Sequence, residues 1–334
     1  MTIIGRVDSV WRYPVKSMRG EALPEIFTGF SGVYGDRLFA FKSSAAPPGF
    51  PYLTGREHHE MLLYQSRFRH SEKAAKQPNL AEAMAFSPLL NPIAADAAGL
   101  ALDVETPAGE VLAIDDPALL RQLAARAGDG HSLTLLRSEP AMTDCQPILL
   151  FSLQTARQLG EKIGSVLDKR RFRANVYLDL GTAGGFSENT YVGRKLRIEP
   201  KVVIAVLERD PRCQMITLEP DTAAPNPEIL RNVARGHEGT AGVFWRCAGR
   251  GTDPHRGCGR SVGLSGSFTG RARSGGQGSR AHRRCSGRGR RRRCCAERRH
   301  RPAFRHPLCD GETARNLRSS RSAPHRGRQL AWGT

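Results

Sequence analysis

Residues 208–222, ERDPRCQMITLEPDT, contain a cysteine whose neighbours favour reactivity. Cys213 follows Pro211 and Arg212 at a predicted loop-to-strand junction, where an adjacent guanidinium favours the thiolate form of the side chain. A thiolate is both a nucleophile and a ligand for soft metals. A cysteine can equally be a small buried apolar residue. The segment alone therefore leaves both roles of Cys213 open.

Basic side chains recur where strands are predicted to begin. Lys16 lies in YPVKSMRG, Arg37 in GDRLF and Arg173 in KRRFRAN. Such side chains can converge on a phosphate, and arginine is suited to bidentate contacts with it. Each of them could instead be a solvated surface charge, so their grouping depends on the fold.

The elements that must position these residues are mostly short strands. Runs rich in β-branched and aromatic residues, bounded by Gly, Pro or Asp, predict strands at 3–13, 37–43, 60–68, 100–106, 111–115, 174–180 and 201–208. Helices are predicted at 117–128, at 152–164 with Ser152 as N-cap, and at 227–236. A loop-rich surface excursion is expected around 70–98. This pattern predicts a mainly β (α+β) protein built from barrels or sandwiches.

The charge and the cysteines divide the 334-residue chain at Trp245. The formal charge of +19 would suit a nucleic-acid-binding protein. However, residues 1–245 hold 28 basic and 28 acidic residues, and residues 246–334 hold 23 Arg, no Lys and 4 acids. Only Cys145 and Cys213 precede the division, which indicates a reducing compartment. The N-terminal sequence does not resemble a signal peptide, and no apolar run is long enough for a membrane span. We therefore expect a cytoplasmic protein.

The segment after Trp245 has a different composition from the rest. Its Arg runs, Gly and Ser clusters and few aliphatic residues predict a disordered basic tail over 246–334. A phosphate-binding arm would show regular aromatic spacing, and a zinc module would show paired cysteines at CxxC spacing. The tail has neither, and its composition favours an out-of-frame reading of a GC-rich gene.

Several motifs together resemble the MOSC family. YPVKS, GDR, LTGRE, RFRANVYLD, ENTYVGRKLRI and RCQMITLEPDT occur in the family's order and cover roughly residues 3–244. The chain is similar to two-domain members such as the mitochondrial amidoxime-reducing component. The resemblance implies a MOSC N-terminal β-barrel domain at 1–120 and a MOSC β-barrel with a few covering helices at 121–245. Relatives continue into a final strand where this sequence changes, so the second barrel is expected to lack that strand.

The resemblance also implies a molybdenum cofactor and its binding residues. Cys213 would be the catalytic metal ligand, with Arg212 beside the metal site. Lys16, Ser17 and Arg37 would hold the phosphate and the pterin, and Arg173 and Asn175 would contact the pterin. Chemistry alone leaves Cys145 as a rival ligand.

The implied reaction is the two-electron reduction of an N-hydroxylated small molecule to an amine. Electrons would come from a separate donor protein, because the tail lacks the C-x₄-C-x₂-C run of a two-iron ferredoxin domain. Asp210 and Glu188 are both candidate proton donors.

Two alternatives stay open. One is a non-catalytic cofactor carrier or sulfur-transfer protein, because the superfamily includes the C-terminal domain of pyridoxal phosphate-dependent molybdenum cofactor sulfurases. The other is a nucleic-acid-binding protein that depends on the tail.

Overall fold

A computed structural model describes residues 2–29, 31–47, 49–86, 92–127, 132–198, 202–247, 260–263 and 267–270. These residues belong to one compact unit. The strands are β1 (Thr2–Arg12), β2 (Glu21–Leu23), β3 (Glu25–Gly29), β4 (Gly32–Val33), β5 (Phe39–Ser43), β6 (Gln65–Phe68), β7 (Leu102–Glu105), β8 (Val111–Ala113), β9 (Leu133–Arg137), β10 (Ile148–Ser152), β11 (Val176–Asp179), β12 (Lys195–Ile198), β13 (Val202–Pro211), β14 (Thr240–Cys247), β15 (Arg260–Gly263) and β16 (Ser267–Gly270).

The helices are fewer and mostly short. They are α1 (Leu80–Ala85), α2 (Pro117–Ala127), α3 (Leu153–Ile163) and α4 (Pro227–Gly236), with 3₁₀ helices at His59–Leu63, Lys169–Phe172, Ser187–Tyr191 and Gln214–Thr217. The mainly β prediction is therefore confirmed. Within the described residues, no helix has the length and apolar character needed to cross a bilayer.

An eight-stranded sheet supports the C-terminal half of the described chain. Its order is β11-β10-β14-β13-β12-β16-β1-β2, and β1 also pairs with β11 at the far end of that order. The pairs are antiparallel except β10 with β11, which are parallel and are joined through α3. A parallel pair needs such a crossover connection. The N-terminal strand β1 is thus part of the same sheet as β10 to β14.

Three smaller sheets contain the other eight described strands. Their orders are β15-β3-β4, β5-β9 and β6-β7-β8. The β5 pairing with β9 runs from Phe39 opposite Arg137 to Ser43 opposite Leu133. An isolated bridge between Val15 and Phe39 ties the loop after β1 to the start of β5. This bridge brings two of the predicted basic motifs together.

The buried residues recur along each strand and helix with the spacing that places side chains on one face. In β13, Val202, Ile204 and Val206 are buried and alternate with partly exposed residues, as expected for a strand with one face on the core. Trp245 of β14 is fully buried in the same cluster. In α4, Ile229 and Val233 lie four residues apart and are fully buried, which places them on one helical face.

The predicted helices at 117–128, 152–164 and 227–236 correspond to α2, α3 and α4. Ser152 is the N-cap of α3, as predicted, and its hydroxyl accepts a hydrogen bond from the Thr155 amide at 3.1 Å. The prediction of one strand over 60–68 is wrong in its first half, because that half forms the 3₁₀ helix His59–Leu63. The expected excursion at 70–98 contains the short helix α1.

Part of the predicted basic tail pairs with the sheets. β14 extends to Cys247, β15 pairs with β3, and β16 lies between β12 and β1. These segments pair with edges of β3, β12 and β1 that would otherwise be open. A tail strand also takes a place in the sheet that was expected to lack its last strand. The rest of the tail prediction lies outside the described residues.

Candidate functional site

One cleft contains all seven residues that the sequence predicts to bind the cofactor. Its lining includes Cys213, Lys16, Ser17, Arg37, Arg173, Asn175 and Arg212. The cavity volume is about 150 Å³, about ten times the space that one buried water requires. The rival cysteine, Cys145, lines the same cleft, so location alone does not separate the two cysteines.

Four of the chain segments that line the cleft carry the predicted binding residues, and backbone hydrogen bonds hold two of these segments together. The Lys16 amide donates to the Phe39 carbonyl at 2.8 Å, and the Arg37 amide donates to the Tyr13 carbonyl at 2.6 Å. The loop after β1 and the turn before β5 are thereby joined. The other two segments are the connection from the 3₁₀ helix Lys169–Phe172 to β11 and the end of β13.

Left-handed backbone conformations are concentrated at the predicted binding residues. The φ angles are +67° at Ser17, +43° at Arg37 and +52° at Arg173. Side chains other than glycine rarely adopt this region, and such strain persists only where surrounding structure enforces it. Six non-glycine residues of the described chain have positive φ. Half of them, one serine and two arginines, thus line the cleft.

Cys213 is the N-cap residue of a 3₁₀ helix. Its backbone is extended, it precedes the helix Gln214–Thr217, and its thiol is partly buried and not in a disulfide. The neighbouring Arg212 amide donates to the Gly239 carbonyl at 2.8 Å, which fixes the approach to the cysteine. Arg56 interacts electrostatically and by hydrogen bonding with the Cys213 side chain. The thiol therefore faces a cation from a distant part of the sequence.

Asp144 links Arg56 to Lys16. Its two carboxylate oxygens accept hydrogen bonds from Lys16 Nζ and Arg56 Nη2. Lys16 Nζ also donates to the Met142 carbonyl at 2.9 Å. Burial lowers the pKa of Lys16, and the Asp144 charge opposes that shift. The sequence prediction missed Arg56 and Asp144, although Arg56 lies in the LTGRE motif.

Two guanidinium groups enclose the ring of Tyr13. Arg37 lies 4.4 Å and Arg173 4.5 Å from its centroid. Arg37 also pairs with Asp36 and donates to the Arg173 carbonyl at 3.1 Å. Burial, together with the Arg37 charge, lowers the pKa of Arg173 to about 10. Arg173 is nevertheless cationic at neutral pH.

Asp210 forms a buried ion pair with Arg212 inside the cleft. Arg212 Nη1 donates to the Asp210 carboxylate, and Arg212 Nη2 donates to the Phe172 carbonyl at 2.6 Å. Burial raises the pKa of Asp210 to about 6, against the opposing effect of Arg212. Asp210 is thus an acid that can exchange a proton close to neutral pH.

Glu188, the other candidate proton donor, lies elsewhere. It is fully buried and accepts hydrogen bonds from the hydroxyls of Ser152 at 2.7 Å and Thr155 at 2.8 Å. It is not among the residues that line the cleft. Its contacts stabilise the start of α3.

Asn175 lines the cleft but uses its amide within the fold. Its Oδ1 accepts from the Leu149 amide at 3.2 Å, and its Nδ2 donates to the Trp11 carbonyl at 3.3 Å. Its backbone pairs with the same two residues. In this structure Asn175 therefore joins β1 and β10 to the segment that leads into β11.

A separate group of possible metal ligands is formed by Asp168, Glu219 and Asp221. Arg170 already forms ion pairs with Asp168 and Asp221. The cluster is therefore an ion-pair network around an arginine.

The cleft offers unused hydrogen-bond donors to an anionic ligand. Arg171 Nε, Arg173 Nη2 and Arg212 Nε are buried and have no hydrogen-bond partner. Each such group costs about 1–3 kcal/mol when left unpaired. The cleft is also lined by six Lys or Arg side chains and only two Asp. Together with a cysteine that can bind a soft metal, these donors fit an anionic, phosphate-bearing molybdenum cofactor.

Comparisons with known proteins give one family match. A family model described as the MOSC domain matches residues 138–254. Among solved structures, the chain is similar to the YuaD protein of Bacillus subtilis, with 9% identity, a TM-score of 0.35, and coverage of 79% of this chain and 93% of that one. It is also similar to YiiM of Geobacillus stearothermophilus, with 12% identity, a TM-score of 0.27, and coverage of 37% and 53%. No curated protein matches the chain.

Proposed function

Because residues 138–254 belong to the MOSC domain family, a family associated with molybdenum cofactor binding, we propose that this protein is a cofactor-dependent reductase. It would bind the cofactor in the cleft and reduce N-hydroxylated compounds to amines. The observation that supports this most is the convergence of Cys213 and the predicted basic residues on one cleft that contains unpaired, buried guanidinium N–H groups.

Different residues of the cleft would bind different parts of the cofactor. Cys213 would supply a sulfur ligand to molybdenum. Lys16, Ser17, Arg37, Arg173 and Arg212 would hold the phosphate and pterin, since cationic donors form strong hydrogen bonds to phosphate oxygens. Asn175 would hold the strands behind them in register. When bound, the cofactor supplies two-electron redox chemistry at the metal.

The proposed reaction consumes protons, and Asp210 is a candidate to supply one of them. Conversion of R–NH–OH to R–NH₂ and water breaks the N–O bond and consumes two electrons and two protons. Asp210 lines the cleft with a pKa of about 6, and a general acid works best when its pKa lies near the working pH. Asp210 would therefore deliver a proton to the departing oxygen, and a separate donor protein would supply the electrons.

Metal analysis of paired cysteine variants tests the proposal. Protein purified from cells that synthesise the cofactor should contain close to one molybdenum per chain. Cys213→Ala should lose the metal, while Cys145→Ala, which removes the other cysteine of the same cleft, should keep it. Equal retention in both variants would contradict the assignment of Cys213.

Turnover separates the reductase from the alternatives. A reduced dye as electron donor should convert an amidoxime to the amidine in the molybdenum-containing protein. Retained molybdenum without turnover would instead favour a cofactor carrier or sulfur-transfer protein.

A further inference from the structure

Among the described residues, two of the six cations that line the cleft form no ion pair with a carboxylate. Lys16 and Arg56 pair with Asp144, Arg37 pairs with Asp36, and Arg212 pairs with Asp210. Those pairs leave Arg171 and Arg173, for which no ion pair is formed among the described residues. Arg173 is enclosed beside Tyr13 and Arg37, which suits the proposed cofactor site. Arg171 is therefore the cation whose partner is not assigned.

Arg171 lies against the wall that the 3₁₀ helix Gln214–Thr217 forms. Its Nη1 donates to the Thr217 carbonyl at 2.8 Å, while its buried Nε has no partner. Burial lowers the pKa of Arg171, and Glu219 and Asp168 oppose the shift from beyond ion-pair distance. The guanidinium is thus anchored at one end and has a free donor at the other.

The surroundings of Arg171 combine one cation with apolar side chains. Phe172, Met215 and Ile216 line the cleft with it, and Phe172 and Ile216 are buried. A phosphate alone would gain nothing from such a wall, whereas an organic anion can place its apolar body against these residues and its charge on the arginine.

The backbone connects Arg171 to Cys213 through one short helix. Cys213 is the N-cap of the 3₁₀ helix Gln214–Thr217, and the carbonyl that anchors Arg171 belongs to the last residue of that helix. We propose that Arg171 binds an anionic group of the substrate, so that the preferred substrates are N-hydroxylated compounds that carry a carboxylate. This inference rests on the proposed reductase function.

The test compares a neutral aromatic amidoxime with the same compound bearing a para carboxylate. For Arg171→Gln, the ratio of kcat/KM for the carboxylate over the neutral substrate should fall at least about tenfold, mainly through KM, because a charge-assisted contact is lost. Arg171→Lys should restore part of the ratio. Arg235→Gln removes an equal charge from the exposed side of α4 and should leave the ratio unchanged.

A binding measurement makes the test independent of turnover. The corresponding amidines, with and without the carboxylate, are titrated calorimetrically into wild-type protein and Arg171→Gln, and molybdenum is measured in both. The wild-type protein should bind the carboxylate-bearing amidine about tenfold more tightly than the neutral one, and Arg171→Gln should lose this preference. Absence of dye-linked turnover with this preference intact would contradict the reductase function but leave the anion site standing.

Two outcomes overturn the inference about Arg171. The first is a wild-type protein that does not prefer the carboxylate-bearing compounds in either experiment. The second is an Arg171→Gln variant that loses affinity for both compounds equally, or loses its molybdenum, because Arg171 would then support the fold or the cofactor.

Discussion

The buried carboxyl of Asp210 should make stability depend on pH in an unusual direction. Its pKa of about 6 in the folded protein compares with an ordinary value of 3.8. Because the folded state binds this proton more tightly, the stabilisation is fully present below pH 3.8 and is lost as the pH rises through about 6. Each pKa unit corresponds to about 1.4 kcal/mol. A difference of about two units therefore removes about 3 kcal/mol from the free energy of unfolding.

The variant Asp210→Asn isolates this effect, because an amide cannot titrate and still accepts a hydrogen bond from Arg212. The free energy of unfolding is measured by urea denaturation at several pH values between 3.5 and 7.5, on cofactor-free protein. From the lowest to the highest pH, the wild-type protein should lose about 3 kcal/mol relative to the variant. Parallel pH profiles for the two proteins would refute the reasoning.

Asp221→Asn provides a control of opposite sign. Hydrogen bonds from Arg170 lower the pKa of Asp221. Its stabilisation is therefore present above its unfolded pKa and is lost as the pH falls. As the pH rises, the free energy of unfolding of the wild-type protein should increase relative to that of Asp221→Asn, whereas it should decrease relative to that of Asp210→Asn.

Two further substitutions test the buried interior away from the cleft. Glu188→Ala should reduce the free energy of unfolding by about 2–3 kcal/mol, because two buried hydroxyls at the start of α3 lose their acceptor. Thermal unfolding measures this loss. An equally large loss in Glu188→Gln would contradict the hydrogen-bond explanation. Trp245→Ala should cost about 3–5 kcal/mol in chemical denaturation, because Trp245 is fully buried in the core cluster and belongs to β14, which pairs with both β10 and β13. A loss below about 1 kcal/mol would show that this end of β14 is not packed in solution.

Local sequence signals predicted the elements that have clear periodicity. The helix α3 begins at the predicted cap Ser152, and β13 shows the alternation expected from its residues. The run ILLFS of β10 lacks this alternation, and its four consecutive apolar residues fit a buried strand and a helix turn equally well. Residues 60–63 were predicted as the start of a strand over 60–68, and they belong to the 3₁₀ helix His59–Leu63 instead.

The site was predictable in its residue types and not in its pairing. The motifs around Lys16, Arg37 and Cys213 predicted a shared site, and the structure places these residues in one cleft. The Lys16 to Asp144 pair joins positions 128 residues apart, and one sequence carries no record of such a contact. Likewise, the sequence alone made Asp210 and Glu188 equal candidates for the proton donor, because it does not show which residues surround each of them.

The first strand of the chain has consequences for how folding proceeds. Residue Thr2 of β1 pairs with Gly270, and Val10 pairs with Val176. Contacts between residues so far apart in sequence slow folding, because long loops must close before the contacts form. During synthesis β1 leaves the ribosome long before β11 and β16 exist, so until then only its end at Val10–Arg12 has a partner strand, β2. We expect insertion of β1 to be among the last folding steps, and nascent chains to depend on chaperones until about residue 270 has emerged.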